Sequence, residues 1–246
     1  MLDEAAMSRP VLILIHAEWE TPALIDTALA GIPSVRRSIL AERAPELPSV
    51  AELGGLVVMG GPQDANDDER YPGLAAERRI LAEAVSAEVP VLGVCLGMQL
   101  LAVALGARLH LGHGQEIGFA PVELTERGAV DPLLAPFAGE RSATFLHWHS
   151  DAVELPSGAE LLASTRPTPV QAFRIGSAVG TQFHPEADAA LLESWLATDA
   201  MVASLAPAHV ERIRSDGQAQ LPALRAPAQC GFGTFASAVR RRRGEH

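Results

Sequence analysis

The segment 93–97, Gly-Val-Cys-Leu-Gly, places a cysteine where an α/β sheet presents a nucleophile. The apolar run 89–94 predicts a buried strand, and the run 98–106 predicts a helix that ends at a glycine. A sharp turn from strand to helix, with a glycine on each side, is typical of a nucleophile elbow in which Cys95 replaces the usual serine. The helix amino terminus favours the thiolate, which is the reactive form of cysteine.

A histidine and a glutamate later in the chain supply the partners that a cysteine nucleophile needs. Residues 178–183 predict a strand that ends at His184, and Glu186 follows two residues later. The imidazole can hold the proton of Cys95 while the carboxylate orients the ring. The alternative is a buried core thiol and an unrelated histidine at a strand end. The elbow and the His-Pro-Glu motif together favour the catalytic interpretation.

With its Cys-Leu-Gly-x-Gln elbow and His-Pro-Glu motif, the chain resembles the class I glutamine amidotransferases over about residues 10–200. The resemblance implies a catalytic triad of Cys95, His184 and Glu186. It also implies that the backbone N–H groups of Gly61 and Leu96 form an oxyanion hole, since amide hydrolysis needs donors where negative charge develops. The alternative for Gly61 is an ordinary turn after a strand.

The same resemblance assigns residues that bind the substrate. Gln99 lies one helical turn after Cys95, and in similar enzymes this glutamine contacts the substrate glutamine. The alternative is a glutamine on the helix surface. The segment His149, Ser150 and Asp151 matches the loop whose backbone, near its last two residues, holds the α-amino and carboxylate groups of the substrate.

A metal site competes for part of that loop. His147, His149 and Asp151 form an H-x-H-x-D pattern, and alternate residues of an extended segment put both imidazoles on one side, as in binuclear metal hydrolases. However, Ala152 stands where those sites continue with histidine, and the sequence shows no complementary ligand cluster. We therefore predict no metal ion, and we predict no cofactor.

Strands and helices alternate along the chain, which predicts an α/β fold with an open, mostly parallel sheet flanked by helices. Strands are expected at 11–15, 56–59, 89–94 and 178–183, and helices at 21–30, 71–88, 191–205 and from 209 onward. Short segments at 118–124, 143–147, 160–164 and 170–175 predict added antiparallel strands. The resemblance implies the flavodoxin-like amidotransferase fold for residues 1–205, with 206–246 as a C-terminal helical extension of unassigned role.

Composition and charge exclude several classes of protein. The net charge of −11 argues against a nucleic-acid-binding surface, and the four arginines at 240–243 are interpreted as solvated charge at a helix end. The absence of lysine excludes a Schiff-base lysine and a Walker-type phosphate loop. No apolar run could span a bilayer, residues 1–10 lack a signal-peptide pattern, and Cys95 and Cys230 make no disulfide framework. We expect a soluble, cytoplasmic enzyme without nucleic-acid or membrane partners.

The resemblance implies a stand-alone, GMP-synthase-like glutaminase that hydrolyses glutamine through a thioester on Cys95. Its ammonia is expected to serve a separate synthetase, because this sequence has no Ser-Gly-Gly-x-Asp-Ser pyrophosphatase loop. One alternative is a free-standing hydrolase of another γ-glutamyl amide; such relatives tend to have arginine after the nucleophile, where this chain has Leu96. The other is a non-catalytic regulatory module on the same fold, which the intact triad disfavours.

Overall fold

The computed structural model describes residues 9–139 and 142–245. Its strands are β1 (Val11–Leu14), β2 (Ser34–Arg37), β3 (Gly55–Val58), β4 (Val91–Val94), β5 (Leu109–His110), β6 (Glu116–Leu124), β7 (Ser142–His149), β8 (Ala152–Val153), β9 (Glu160–Ser164), β10 (Ala172–Ile175) and β11 (Ala178–Thr181). The α-helices are α1 (Leu24–Ala28), α2 (Leu74–Ser86), α3 (Leu96–Ala104), α4 (Ala189–Leu196), α5 (Asp199–Val202) and α6 (Pro207–Arg242). Short 3-10 helices lie at Val50–Glu52, Gly128–Val130 and Ala135–Phe137.

One sheet of nine strands organises the molecule, in the order β2-β1-β3-β4-β11-β10-β9-β6-β7. The first five strands are parallel to their neighbours, and the last four are added by antiparallel pairing. Strands β5 and β8 pair separately in an antiparallel ribbon. The predicted α/β class, with parallel strands and antiparallel additions, is confirmed.

The central parallel strands are almost entirely apolar because helices cover both faces of the sheet. All four residues of β1, β3, β4 and β11 are buried. Successive residues alternate between the two faces: Ile13 belongs to the core cluster under α1 and α6, whereas Leu12 belongs to the cluster under α2 and α3. The strand ends are therefore fixed from both sides, which gives the residues that follow them defined positions.

Helix α6 runs for 36 residues and lies on the same face of the sheet as α1. It contains Pro222 and Pro227, each of which removes a backbone hydrogen bond from the helix interior. Its apolar side chains are buried in the core cluster of that face, Phe232 and Val239 among them. Tertiary packing therefore stabilises this helix. The division of the chain into a domain at 1–205 and an extension at 206–246 stays a prediction.

The structure differs from the sequence expectations in some details. The helix expected at 191–205 is two helices, α4 and α5. The strands expected at 11–15, 89–94, 170–175 and 178–183 are one or two residues shorter, those expected at 118–124 and 143–147 are two or three residues longer, and the one expected at 56–59 begins and ends one residue earlier. Strand β2 at the sheet edge had not been predicted, because its Ser-Val-Arg-Arg sequence is largely exposed and has no apolar alternation. Among the described residues, no helix is both long and apolar enough to cross a membrane.

Candidate active site

The carboxyl ends of the parallel strands surround a cavity of about 270 Å³. This is the end of an open α/β sheet where ligands bind. Of the nine residues predicted for the site, six line the cavity: Gly61, Cys95, Gln99, His149, Ser150 and Asp151. A larger groove, of about 430 Å³, lies at the opposite ends of β4 and β11, and its lining includes none of the predicted residues. The smaller cavity is therefore the candidate site.

Cys95 occupies a strained turn between β4 and α3. Its φ of 52° and ψ of −107° are unusual for a residue with a side chain, and its N–H donates to the Thr181 carbonyl at 2.8 Å. The neighbouring glycines provide space: a Cβ on Gly93 would lie 2.6 Å from the Gly97 carbonyl oxygen, and a Cβ on Gly97 would overlap the backbone of Val58. The cysteine itself carries the strain, as expected for an elbow that projects its nucleophile.

His184 and Glu186 form a buried pair beside the cysteine. His184 Nδ1 donates to Glu186 Oε1 at 2.8 Å, and both side chains are at most 1% exposed. The imidazole packs edge-on against Trp195, with ring centroids 4.7 Å apart. Burial lowers the pKa of His184, but Glu186 and Cys95 outweigh burial and raise that pKa well above its usual value. An imidazole beside a cysteine sulfur, oriented by a carboxylate, is the arrangement that activates a cysteine nucleophile.

The sulfur of Cys95 has two further polar neighbours. Gln182 Nε2 lies 3.5 Å from Sγ, and the Trp148 carbonyl oxygen lies 3.8 Å from it. Gln99 Nε2 donates to Gln182 Oε1 at 3.1 Å, so the predicted substrate-binding glutamine is linked to the residue that contacts the nucleophile. Gln182, which the sequence analysis did not single out, can donate a hydrogen bond to a thiolate.

Gly61 lies against the side chain of Leu96. A Cβ on Gly61 would be 2.5 Å from His16 Cβ and 3.0 Å from Leu96 Cδ2, so only glycine fits there. Leu96 is the first residue of α3, and the first N–H groups of a helix have no carbonyl partner within the helix. The Leu96 N–H is therefore available to a ligand oxygen near Cys95, and its pairing with the Gly61 N–H in an oxyanion hole stays a prediction.

The segment 149–151 is held mainly through His149 and Asp151. His149 Nδ1 donates to the Asp151 carbonyl at 3.2 Å, and Nε2 lies 3.4 Å from Glu116 Oε2. The Asp151 carboxylate accepts the Gly112 N–H at 2.8 Å. Ser150 is exposed beside the cavity. The Asp151 carbonyl is thus occupied by His149, while the exposed Ser150 lines the cavity.

The two histidines of the H-x-H-x-D pattern come together with a different carboxylate. Glu116, His147 and His149 each offer a ligand atom, all within 4.8 Å of one another, whereas Asp151 binds Gly112 instead. Burial lowers the pKa of His147 to about 4, and Glu116 opposes that effect.

Hydrogen bonds already hold the carboxylate of this group. Glu116 Oε2 accepts from Gln171 Nε2 at 2.6 Å and from Thr165 Oγ1 at 3.0 Å. The group thus braces β6 against β7 at the pair Glu116–His149, just beside the cavity. Protein donors thus occupy one oxygen of this carboxylate, and the absence of a metal ion stays a prediction.

Sequence reasoning missed several polar residues at the same end of the sheet. Glu20 lines the cavity and is only 5% exposed. Burial raises its pKa to about 7, with Glu186 adding to the effect and His184 opposing it. His16 and Glu77 form a second buried pair nearby. His16 comes just after β1, so the strand-end rule that singled out Gly61 could have found it; Glu20 lies in no recognisable pattern.

Comparisons with known sequences agree with this site. The family model described as "Glutamine amidotransferase class-I" matches residues 35–201. The glutamine amidotransferase-like protein YfeJ of Salmonella typhimurium is 38% identical over 143 residues, which cover 56% of this chain and 59% of that protein. The glutamine-hydrolyzing GMP synthase of Marinobacter nauticus is 36% identical over 143 residues, which cover 54% of this chain but only 25% of that enzyme.

Solved structures extend the likeness to nearly the whole fold. A glutamine amidotransferase from Methylobacillus flagellatus superposes with a TM-score of 0.81 at 27% identity, covering 94% of this chain and 95% of its own. A glutamine amidotransferase from Thermotoga maritima gives a TM-score of 0.74 at 26% identity, covering 96% and 98%. Both superpositions are long enough to include α6.

Proposed function

Because this chain belongs to the class I glutamine amidotransferase family, we propose that it hydrolyses the side-chain amide of glutamine and releases ammonia. The observation that carries the proposal is the placement of Cys95, on a strained elbow, beside the buried His184–Glu186 pair. A nucleophile, a base and an orienting acceptor are thereby available in one site. The chemistry that we propose uses no metal ion and no cofactor.

The reaction begins when the Cys95 sulfur attacks the side-chain carbonyl carbon of glutamine. The resulting tetrahedral oxyanion accepts hydrogen bonds from the N–H groups of Gly61 and Leu96. His184 gives its proton to the leaving nitrogen, which departs as ammonia and leaves a γ-glutamyl thioester on the sulfur. His184 then takes a proton from water as the water attacks the thioester, and glutamate is released. Glu186 keeps the imidazole in the required orientation through Nδ1.

The cavity also fits the rest of the substrate. Gln99 lines it and is proposed to contact the glutamine side-chain amide. The backbone around Ser150 and Asp151 is proposed to hold the α-amino and carboxylate groups of the substrate. His149 holds the loop in place through the hydrogen bond from Nδ1 to the Asp151 carbonyl. We also propose that Gln182 donates to the Cys95 thiolate, since its Nε2 lies 3.5 Å from Sγ.

A separate synthetase is the proposed user of the ammonia. The relative named GMP synthase matches this chain over a quarter of its own length, so most of that enzyme has no counterpart in the match. An amidotransferase that serves a partner is expected to be slow alone, because loop closure around Gly61 and Ser150 would complete the site only when the acceptor is loaded.

We therefore expect slow release of ammonia from glutamine by the purified chain, rising at least about tenfold with the correct synthetase. The measurement is ammonia release from glutamine and from a panel of other γ-glutamyl amides, with and without the synthetases that co-purify from the native host. Fast hydrolysis by the chain alone would indicate a free-standing hydrolase. Rapid cleavage of another γ-glutamyl amide, without glutamine turnover, would change the substrate, and no turnover at all would indicate a regulatory module.

A further inference from the structure

A second buried ionic pair, outside the triad, contacts the backbone of the proposed oxyanion hole. His16 follows β1, and Glu77 lies in the first turn of α2. His16 Nε2 is 2.8 Å from Glu77 Oε2, and the two side chains are 0% and 1% exposed. The removal of both charges from water is costly, so a buried charge pair is stabilised only by close contact between its members and by additional hydrogen bonds.

The other nitrogen of the His16 ring reaches the loop after β3. Nδ1 lies 3.0 Å from the carbonyl oxygen of Gly60. A carbonyl and an ionised carboxylate are both acceptors, so beside an ionised Glu77 the ring donates at both nitrogens and is a cationic imidazolium. Burial alone would lower the pKa of His16, but Glu77 and the Gly60 carbonyl outweigh it and raise the pKa.

The contact at Gly60 determines the direction of the next N–H group. The Gly60–Gly61 peptide is planar and trans, so its C=O and N–H point to opposite sides. With the carbonyl held on the His16 side, the Gly61 N–H points away from His16, on the side of the cavity that Gly61 lines with Cys95. Gln63 Nε2 donates to the His16 carbonyl at 3.1 Å and ties the loop to β1 a second time.

We propose that His16 and Glu77 are a positioning pair that fixes the Gly60–Gly61 peptide as one half of the oxyanion hole. This rests on the proposed function, since it assigns a role in stabilising the tetrahedral oxyanion. The pair does not touch the substrate. It acts by preventing the peptide from rotating, so that the Gly61 donor is in place before the oxyanion forms.

Two amide substitutions at His16 separate its two contacts. His16→Gln places an amide near the position of Nε2, which keeps the contact with Glu77 but leaves the Gly60 carbonyl without its donor. His16→Asn places an amide near the position of Nδ1, which keeps the donor to Gly60 but leaves Glu77 unpaired. We expect kcat to fall at least about tenfold in His16→Gln, with KM within about threefold, because loss of one oxyanion donor costs roughly 100-fold or more. His16→Asn should keep kcat within about threefold of the wild type while showing the lower Tm of the two.

The pH dependence of kcat is a measurement that a purely structural role of the pair would not affect. The raised pKa of His16 means that both hydrogen bonds of the ring are present below that pKa, and that one of them is lost as pH rises through it, because a neutral imidazole keeps a single N–H. The Glu77 carboxylate is the stronger acceptor for that remaining N–H, so the bond to Gly60 is the one lost. In Glu77→Gln the amide can donate to a neutral ring while Nδ1–H still binds Gly60. This variant should therefore retain activity and lose the part of the alkaline decline in kcat that belongs to His16.

A matched control is available on the other side of the molecule. Asp131, whose side chain is 2% exposed, pairs with Arg174 beside the groove at the opposite end of the sheet. Asp131→Asn removes the charge of a buried carboxylate from an ion pair whose arginine is 23% exposed, and it should lower Tm without lowering kcat. If it lowered kcat as much as His16→Gln does, loss of stability would explain both and the positioning role would be wrong.

Two readouts keep this test independent of glutamine turnover. A glutamine-like chloroketone needs the oxyanion hole to react with Cys95, whereas iodoacetamide does not, so His16→Gln should slow only the chloroketone. A ¹⁵N spectrum of labelled histidines should show His16 doubly protonated near neutral pH, with the resonance identified by its loss in His16→Asn.

If the wild type does not hydrolyse glutamine, the proposed function alone is overturned. An unchanged chloroketone rate in His16→Gln, or a neutral His16, would overturn the positioning pair.

Discussion

Replacement of Cys95 by alanine is expected to lower the rate of ammonia release by at least about 10,000-fold, to the background of the assay. Alanine removes the sulfur but keeps Cβ, and with it the strained backbone of the elbow, so the fold should be unaffected. The remaining site keeps the proposed donors of Gly61 and Leu96 but has no nucleophile with which to form the thioester. Steady-state assays of glutamine hydrolysis, with Tm measured in parallel, check this expectation.

The second cysteine provides the control for that experiment. Cys230 is exposed on α6, far along the chain from the candidate site. Cys230→Ala removes a thiol that does not line the cavity, so ammonia release by this variant should match that of the wild type. Wild-type activity in Cys95→Ala would mean that the elbow cysteine is not the nucleophile, and the proposed mechanism would be wrong.

The members of the triad are expected to contribute unequally. His184→Ala removes the only group proposed to move protons and should also abolish turnover. Glu186→Gln keeps an oxygen that can accept the Nδ1 hydrogen bond, so orientation is weakened rather than lost and measurable activity should remain. We expect kcat of Glu186→Gln to lie below the wild type but at least about tenfold above His184→Ala.

An exposed glutamate is the matched control for the charge removed from Glu186. Glu193→Gln in α4 removes the same charge from a side chain that is 52% exposed and pairs with Arg214. It should leave ammonia release unchanged. Equal kcat values in Glu186→Gln and the wild type would show that Glu186 does not orient the imidazole, and equal loss in Glu186→Gln and His184→Ala would show a larger role than the structure assigns to it.

The centre of the site could be predicted because its two main residues lie in recognisable motifs at the ends of strands. Cys95 and His184 each follow an apolar strand, and the carboxyl ends of neighbouring parallel strands meet at one edge of a sheet. The elbow motif and the His-Pro-Glu motif identified the two residues, and the parallel pairing of β4 with β11 brings them together. The long helix from 209 onward was also visible as helical sequence, but its packing on the face shared with α1 was not.

The supporting contacts could not be predicted, because they depend on how separate elements pack. His16 and Glu77 are 61 residues apart and meet only because α2 covers the end of β1. Glu116 reaches His149 because the register of β6 and β7 places them opposite each other, and a shift of one residue would turn one of them to the other face. Periodicity identifies elements and faces; it does not give register or the rotation of a helix on a sheet.

The most direct test of the central claim is covalent capture of the nucleophile. The protein is treated with the glutamine-like chloroketone, with and without excess glutamine, and the modified residue is found by peptide mapping with mass spectrometry. The account predicts one adduct, on Cys95, formed more slowly when glutamine is present, with Cys230 unmodified because it lies outside the site. Modification mainly at Cys230, or labelling of Cys95 that glutamine does not slow, would contradict it.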